Sequence, residues 1–337
     1  LSTPAVTVLL AVFNGAPLLR ASIGSILAQS FADLELLVVD DGSTDETGKI
    51  LNECKDGRLR VLKNERNLGL TRSLNRGLGE ARGKFVARQD ADDFSMPRRL
   101  EKQVGFLCRH PEVQLLGTCA WRTDSEGRIT GPNDLPGTHD AIRWASVTDN
   151  PFLHTSVMFR REIVLGRFGG YNERYTICQD FELWNRIAAR HPVANLRTRL
   201  VRMREHASSM TRTQSAETTD EMERIFAANW AEMFPQRPLN KAEWELLTNY
   251  RLRFDASRLP EMRKLLDGLL SKYLSQHPAA RNSADFHATL CRQSLRLAYK
   301  FLRTAPGSAL NDIARAFFYS PTEWLAQAGA ALWARCR

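Results

Sequence analysis

Short apolar runs alternate with amphipathic stretches over the first 110 residues. VTVLLAV at 6–12, LELLVVD at 34–40, RLRVL at 58–62 and KFVARQ at 84–89 are brief and aliphatic, which predicts buried strands. Helices are expected between them at about 17–29, 44–54 and 70–81, and Pro97 can open a fourth at its first turn. Ser43, Thr44, Asp45 and Glu46 read as a capping box, so the second helix should start directly after DDGS. This βα rhythm predicts a parallel sheet covered by helices, with ligands beyond the carboxyl ends of the strands. Further on, QLLGT, TSVMF and LVRMR are strand-like, while QDFELWNRIAAR is one clear helix with Phe181, Leu183, Trp184, Ile187 and Ala188 on a face. From about residue 213 the strands stop and helices take over, broken near Pro235, Pro260, Pro278 and Pro306. The expected division is an α/β part at 1–212 and a helical part at 213–337.

With 337 residues, 43% hydrophobic and 25% charged, the chain can bury a sizeable core, which excludes collagen-like, coiled-coil and disordered classes. Six scattered cysteines without a CxxC pair argue against a zinc ribbon or a disulfide framework and fit a reducing compartment. No apolar run reaches the length of a membrane span, and the N-terminus lacks the pattern of a retained signal peptide. A cytoplasmic protein is expected, peripheral at the cytoplasmic face of the inner membrane if its tail binds lipid. The net charge is +9, and residues 271–337 hold nine Lys/Arg against three Asp/Glu. There Arg292, Arg296, Lys300 and Arg303 form one helical stripe, with Phe317, Phe318, Trp324 and Trp333 nearby. Such a stripe suits an anionic membrane surface or simply a helix packed on its neighbours. No nucleic-acid motif accompanies it, and no nucleic-acid partner is expected.

The candidate chemistry lies in carboxylates. Asp90 and Asp92 are two apart at a strand end, which in extended chain sends both side chains to one face. They are either a solvated acidic turn or the anchor of a hard divalent cation, Mn2+ or Mg2+, whose other positions phosphate oxygens fill. Asp93 should point elsewhere and cap the next helix. Asp41 ends the second strand, as a partner for a base or ribose or as a turn residue bonded to local amides. Phe13 stacks on a base or belongs to the core. Asp180 opens a helix, as a charge complementing the dipole or as a base for an attacking hydroxyl. His154 and His206 read first as structural histidines, and Trp121, Trp144, Trp184 and Tyr171 as core residues or a sugar-stacking platform.

In order, VTVLLAVFNGAPLL, LELLVVDDGSTDET, NLGLTRSLNRGL, ARGKFVARQDADD, MPRRLEKQVGFLCRHPE and QDFELWNRI resemble the inverting family 2 glycosyltransferases of the GT-A fold, over about residues 6–210. The resemblance implies an α/β GT-A catalytic domain at 1–212, a Rossmann-like nucleotide-binding half within a mixed central sheet. The C-terminal α-helical appendage at 213–337 is outside it and is left for membrane or partner association. It implies a base near Ala11 and Phe13 that Asp41 bonds, Asp90 near the ribose or metal, Asp92 as principal metal ligand, and Arg72 towards the nucleotide. His206 matches a late histidine of many relatives and joins Asp90 and Asp92 as a metal ligand. Asp180 becomes the general base. The usual Glu-Asp dyad is Gln179-Asp180 here, and Phe13 replaces a more usual tyrosine. The implied reaction moves a sugar from a nucleotide-diphosphate donor, a UDP-sugar by expectation, to a saccharide or lipid-linked saccharide in surface polysaccharide synthesis. Loops at about 131–150 and 168–176 are expected to choose the substrates. A sugar-nucleotide pyrophosphorylase would carry a Gly-rich basic loop after the first strand, which AVFNGAPLL lacks. A nucleic-acid- or membrane-binding protein on an inactive GT-A fold is the remaining alternative.

Overall fold

The structure, a computed structural model, describes residues 3–205, 216–238, 240–251, 256–301 and 306–335. The elements run β1 (Val6–Val12), α1 (Ala16–Leu27), β2 (Leu34–Asp40), α2 (Thr47–Glu53), β3 (Leu59–Lys63), α3 (Leu70–Glu80), β4 (Phe85–Gln89), β5 (Phe94–Ser95) and α4 (Arg99–Arg109). There follow β6 (Leu115–Thr123), β7 (Ile129–Asn133), α5 (His139–Ala145), β8 (Met158–Arg160), α6 (Gln179–Ala188) and β9 (Val193–Arg204). Among the described residues six helices follow: α7 (Ala216–Met233), α8 (Lys241–Arg251), α9 (Leu259–Gln276), α10 (Ala284–Phe301), α11 (Pro306–Tyr319) and α12 (Pro321–Arg335).

β1, β2 and β4 are buried along their whole length, which is why their sequences are apolar runs rather than alternations. They form the parallel half of one sheet in the order β3-β2-β1-β4, with Val6 opposite both Leu34 and Phe85. The sheet continues through β8, β6, β9 and β5, where β4/β8, β8/β6 and β9/β5 are antiparallel and β6/β9 is parallel, with β7 beside β6. The sheet is therefore mixed. Leu19, Ile23 and Ile26 of α1 and Leu100 and Leu107 of α4 pack with Val8, Leu10, Leu36, Val38, Ala87 and Met158 of the strands.

The second helix departs from the capping-box expectation. α2 starts at Thr47 without a side-chain bond from its N-cap Glu46; Asp45 Oδ1 accepts from Thr47 N at 2.9 Å, while its other oxygen and the neighbouring side chains serve the start of α1. Ser43 Oγ accepts from Asn14 N at 3.0 Å, Thr47 Oγ1 from Gly15 N at 3.0 Å and Asp45 Oδ2 from Ala16 N at 3.1 Å, while Thr44 N donates to Asn14 Oδ1 at 2.9 Å. The DDGS turn and the β1–α1 loop are thereby one bonded unit. Asp93 likewise caps no helix: its Oδ1 accepts from Arg204 N on β9 at 2.8 Å.

Two units divide the chain: Leu1–Leu135 with Phe152–Glu221, holding the sheet, and Pro136–Pro151 with Met222–Arg337, holding α5 and the C-terminal helices. Trp144, Phe234, Leu259, Leu266, Tyr273, Phe286 and Leu290 are among the core of the helical unit, where the Tyr273 and Phe286 rings stack with centroids 5.8 Å apart. The expected basic stripe is partly consumed there. Arg292 is buried and pairs with Glu323 at 2.9 Å, and Arg296 pairs with Asp149 at 2.9 Å. Arg303 and the side chains of Lys300 and Trp333 lie outside the described residues. Phe317 and Phe318 of α11 stay exposed, at 50% and 86%. Among the described residues no helix is long and apolar enough to cross a membrane.

Gly42 has φ +73°, and a Cβ there would lie 2.6 Å from the backbone carbon of Arg66. Gly42→Ala therefore combines an unfavourable left-handed backbone with overpacking, and should cost about 1–3 kcal/mol in urea unfolding. An unchanged unfolding midpoint would contradict this placement.

Candidate active site

The carboxyl ends of β1, β2 and β4 bring most of the expected residues together. Ala11 is buried in β1 and Phe13, just past it, is 47% exposed. Asp41 lies against the same end, its backbone N–H donating to Val12 O at 2.8 Å. Its carboxylate is buried and turned towards the β3–α3 loop: Oδ1 accepts from Asn64 Nδ2 at 2.6 Å and Leu68 N at 2.8 Å, Oδ2 from Gly69 N at 2.9 Å. A carboxylate has about four acceptor positions, so Asp41 organises this loop and retains room for one more donor. Arg72, in α3, is exposed and pairs with Glu173 at 3.3 Å.

Beyond β4, Asp90 receives Arg88 Nη2 at 2.5 Å, and its backbone N–H donates to Thr155 Oγ1 at 3.2 Å. Arg88 is 1% exposed, a charged residue inside an apolar strand, and such a residue must find polar partners. Gln89 O accepts its other terminal nitrogen. Arg99, also buried, donates to Gln103 Oε1 at 3.1 Å, Gln89 Oε1 at 3.0 Å, Ser95 Oγ at 2.8 Å, Arg88 O at 2.7 Å and Val157 O at 3.3 Å. Burial, with Arg88 beside it, lowers the Arg99 guanidinium to about 9, so it is still charged at neutral pH. Two buried cations thus underlie the acidic turn.

Desolvation raises the Asp90 carboxyl; Arg88 opposes this and the Asp92 charge adds to it. The Asp93 carboxyl is pushed well above the usual range by burial and then by Asp90 and Asp92. Asp90 and Asp92 are therefore close enough to repel, and a cation between hard oxygen donors relieves such repulsion, so this pair fits Mn2+ or Mg2+. Among the described residues no cluster of three His, Cys, Asp or Glu side chains is placed to hold a metal. His206 lies outside the described residues.

Asp180 is partly buried in the first turn of α6, and its Oδ1 accepts from Phe181 N at 2.7 Å. Burial raises the Tyr171 hydroxyl; Arg88 opposes that, and the charges of Asp180 and Asp90 both add to it. Tyr171 shares a 3.0 Å hydrogen bond with His154 Nε2, and both rings pack on Trp184 together with Phe152 and Phe159. Trp184 and Tyr171 are thus core rather than a sugar-stacking platform, Trp144 belongs to the helical unit, and Trp121 lies under Arg199 at 4.6 Å. The buried Arg88 and Arg99 were not among the expected residues, although Arg88 stands out in sequence as the charge in the apolar run KFVARQ.

The chain compares with known proteins as this geometry leads one to expect. The Glycosyl transferase family 2 model matches residues 7–167. EpsE of Bacillus subtilis is 36% identical over 216 residues, 63% of this chain and 77% of its own length. The amylovoran biosynthesis glycosyltransferase AmsE of Erwinia amylovora is 33% identical over 189 residues, 55% of this chain and 70% of its own. Among solved structures, S. aureus TarS 1-349 in complex with UDP-GlcNAc superposes with a TM-score of 0.57 at 15% identity, covering 93% of this chain and 91% of that one. The fold is that of the GT-A glycosyltransferases. The chain belongs to glycosyltransferase family 2.

His154 is held well below its ordinary pKa by burial and by the positive charge of Arg88. The unfolded chain binds a proton on this ring below about pH 6.5 and the native protein does not, so the ring subtracts stability as pH falls through that value. His154→Gln should flatten the loss of unfolding free energy between about pH 6.5 and 5 by up to about 1.4 kcal/mol per pH unit. Parallel pH profiles in urea unfolding would refute this.

Proposed function

We propose that the protein is an inverting, metal-dependent glycosyltransferase that moves a hexosyl or N-acetylhexosaminyl group from a UDP-sugar to a hydroxyl of a saccharide or lipid-linked saccharide in surface polysaccharide synthesis. The observation that carries this reading is the family 2 match over residues 7–167, with Asp41 and Asp90 beyond the carboxyl ends of β2 and β4 of one sheet and Asp180 in the first turn of α6. TarS was solved with UDP-GlcNAc and AmsE is named for amylovoran biosynthesis, which support the donor and the product class. The exposed Phe317 and Phe318 would be the face to meet a membrane bearing a lipid-linked acceptor.

In this reading the exposed Phe13 ring stacks on the base beside Ala11, and Asp41 accepts a base N–H with its remaining lone pair. Arg72 exchanges Glu173 for the diphosphate. Asp92 and Asp90, with His206, would hold Mn2+ or Mg2+, and when bound the cation supplies neutralisation of charge on the leaving diphosphate. Asp180 takes the proton of the acceptor hydroxyl as its oxygen bonds to the anomeric carbon and the bond to the diphosphate breaks. A single displacement inverts that carbon.

Thermal-shift titration with UDP, GDP, CDP and dTDP, each with and without Mn2+, tests the donor. Selective, metal-dependent stabilisation by UDP is expected, and a preference for another nucleotide would replace the donor assignment. Asp92→Asn should abolish the metal-dependent part of the shift. Asp180→Asn should keep the shift and lose turnover by about 10²-fold or more. Full turnover in Asp180→Asn would remove it from the base role.

A further inference from the structure

The residues leading into α6 have no cap of their own. Cys178 at the N-cap makes no side-chain capping bond, although a helix start leaves amide donors without intrahelical partners. A carboxylate from far along the chain takes the amides of the segment just before the helix and of its N-cap residue. Glu221, buried in the second turn of α7, accepts from Thr176 N at 2.6 Å and Thr176 Oγ1 at 3.1 Å with Oε1, and from Ile177 N at 3.0 Å and Cys178 N at 2.7 Å with Oε2. The same two peptides are held from their other side. With its carboxamide nitrogen facing them, buried Gln179 donates to Thr176 O at 3.3 Å and Ile177 O at 2.9 Å. A glutamate at 179 could not donate in this way at neutral pH, so this pairing accounts for the glutamine that precedes Asp180. From α3, Thr71 Oγ1 donates to Tyr175 O at 2.8 Å, and the Asn75 amide bonds both Tyr171 N and Tyr171 O at 2.9 Å.

We propose that Glu221 is a positioning residue for Asp180: by taking the amides of Thr176, Ile177 and Cys178, against the grip of Gln179 on their carbonyls, it sets the direction in which α6 presents Asp180. The inference rests on the reading of Asp180 as the base. A carboxylate whose four acceptances all go to one three-residue segment orders that segment alone, and a displacement of about 1 Å in a reacting group costs up to about 10²-fold in rate.

The test uses the full chain, with Glu221→Gln, which keeps the shape and part of the accepting capacity, and Glu221→Ala. Nucleotide release with water as acceptor is followed with UDP-glucose, UDP-N-acetylglucosamine and GDP-mannose, and hydrogen exchange of the amides at 176–178 in the resting protein. Expected are faster exchange in both variants, kcat lowered about 10-fold in Glu221→Gln and about 100-fold in Glu221→Ala, and a donor KM within about twofold of the native value. Unchanged exchange would show that the carboxylate does not hold these amides and would overturn the proposal. Faster exchange with native kcat would overturn it as well, as would donor binding and kcat falling together. Native kcat in Asp180→Asn would instead sink the base reading on which the proposal rests.

Discussion

Burying two guanidiniums beneath an acidic turn is the constraint on which the catalytic unit is built. Arg88 and Arg99 are both almost inaccessible, and burying a cation is expensive unless it is paired and hydrogen-bonded. Arg99 meets the requirement with five acceptors drawn from β4, β5, α4 and the segment before β8. Arg88 meets it with Gln89 O and the carboxylate of Asp90. The Arg88 partners are its immediate neighbours at the start of the acidic turn, whereas those of Arg99 tie β4, β5, α4 and the segment before β8 to one guanidinium. The acidic turn in return lowers the cost of the cations. Neither group of charges is tolerable in this place without the other.

How much of this is legible in the chain depends on whether the deciding contact is local. VTVLLAV and LELLVVD can be read directly as β1 and β2, since a fully buried parallel strand demands an unbroken apolar run and turn residues bound both. The period of two expected for Asp90, Asp92 and Asp93 does not apply, because the chain turns there, with Asp93 N donating to Asp90 O at 3.3 Å. The start of α2 was not legible, because Ser43, Asp45 and Thr47 have equally good local and non-local uses: the β1–α1 loop takes Ser43 and Thr47, and Asp45 serves both that loop and Thr47 N. Trp144 and Trp184 have nothing in their flanking residues to tell core from platform; only the rings and carbons that surround them decide. Glu221 sits in ETTDEME, where every acidic side chain resembles a solvated helix charge. Its burial is a property of the assembled unit.

Asp41 illustrates a middle case. Both alternatives open to it in sequence, local amides and a ligand, draw on the same carboxylate, and the structure gives three of its acceptances to Asn64, Leu68 and Gly69. Shape and recognition are then coupled through one side chain: whatever approaches its last lone pair meets a group already made rigid by the loop it organises. Such preorganisation lowers the entropic cost of ordering a binding group.

The path of the chain through the two units bears on how such a protein can change over evolutionary time. The chain leaves the sheet unit after Leu135, returns at Phe152 and leaves again after Glu221, in the middle of a continuous helix. An exchange of gene segments at any single breakpoint would therefore carry away part of one unit with the other, and a cut before α7 would also remove the side chain that receives the amides ahead of α6. Diversification of this architecture is channelled towards point substitutions and loop-length changes within a unit, rather than the swapping of whole modules.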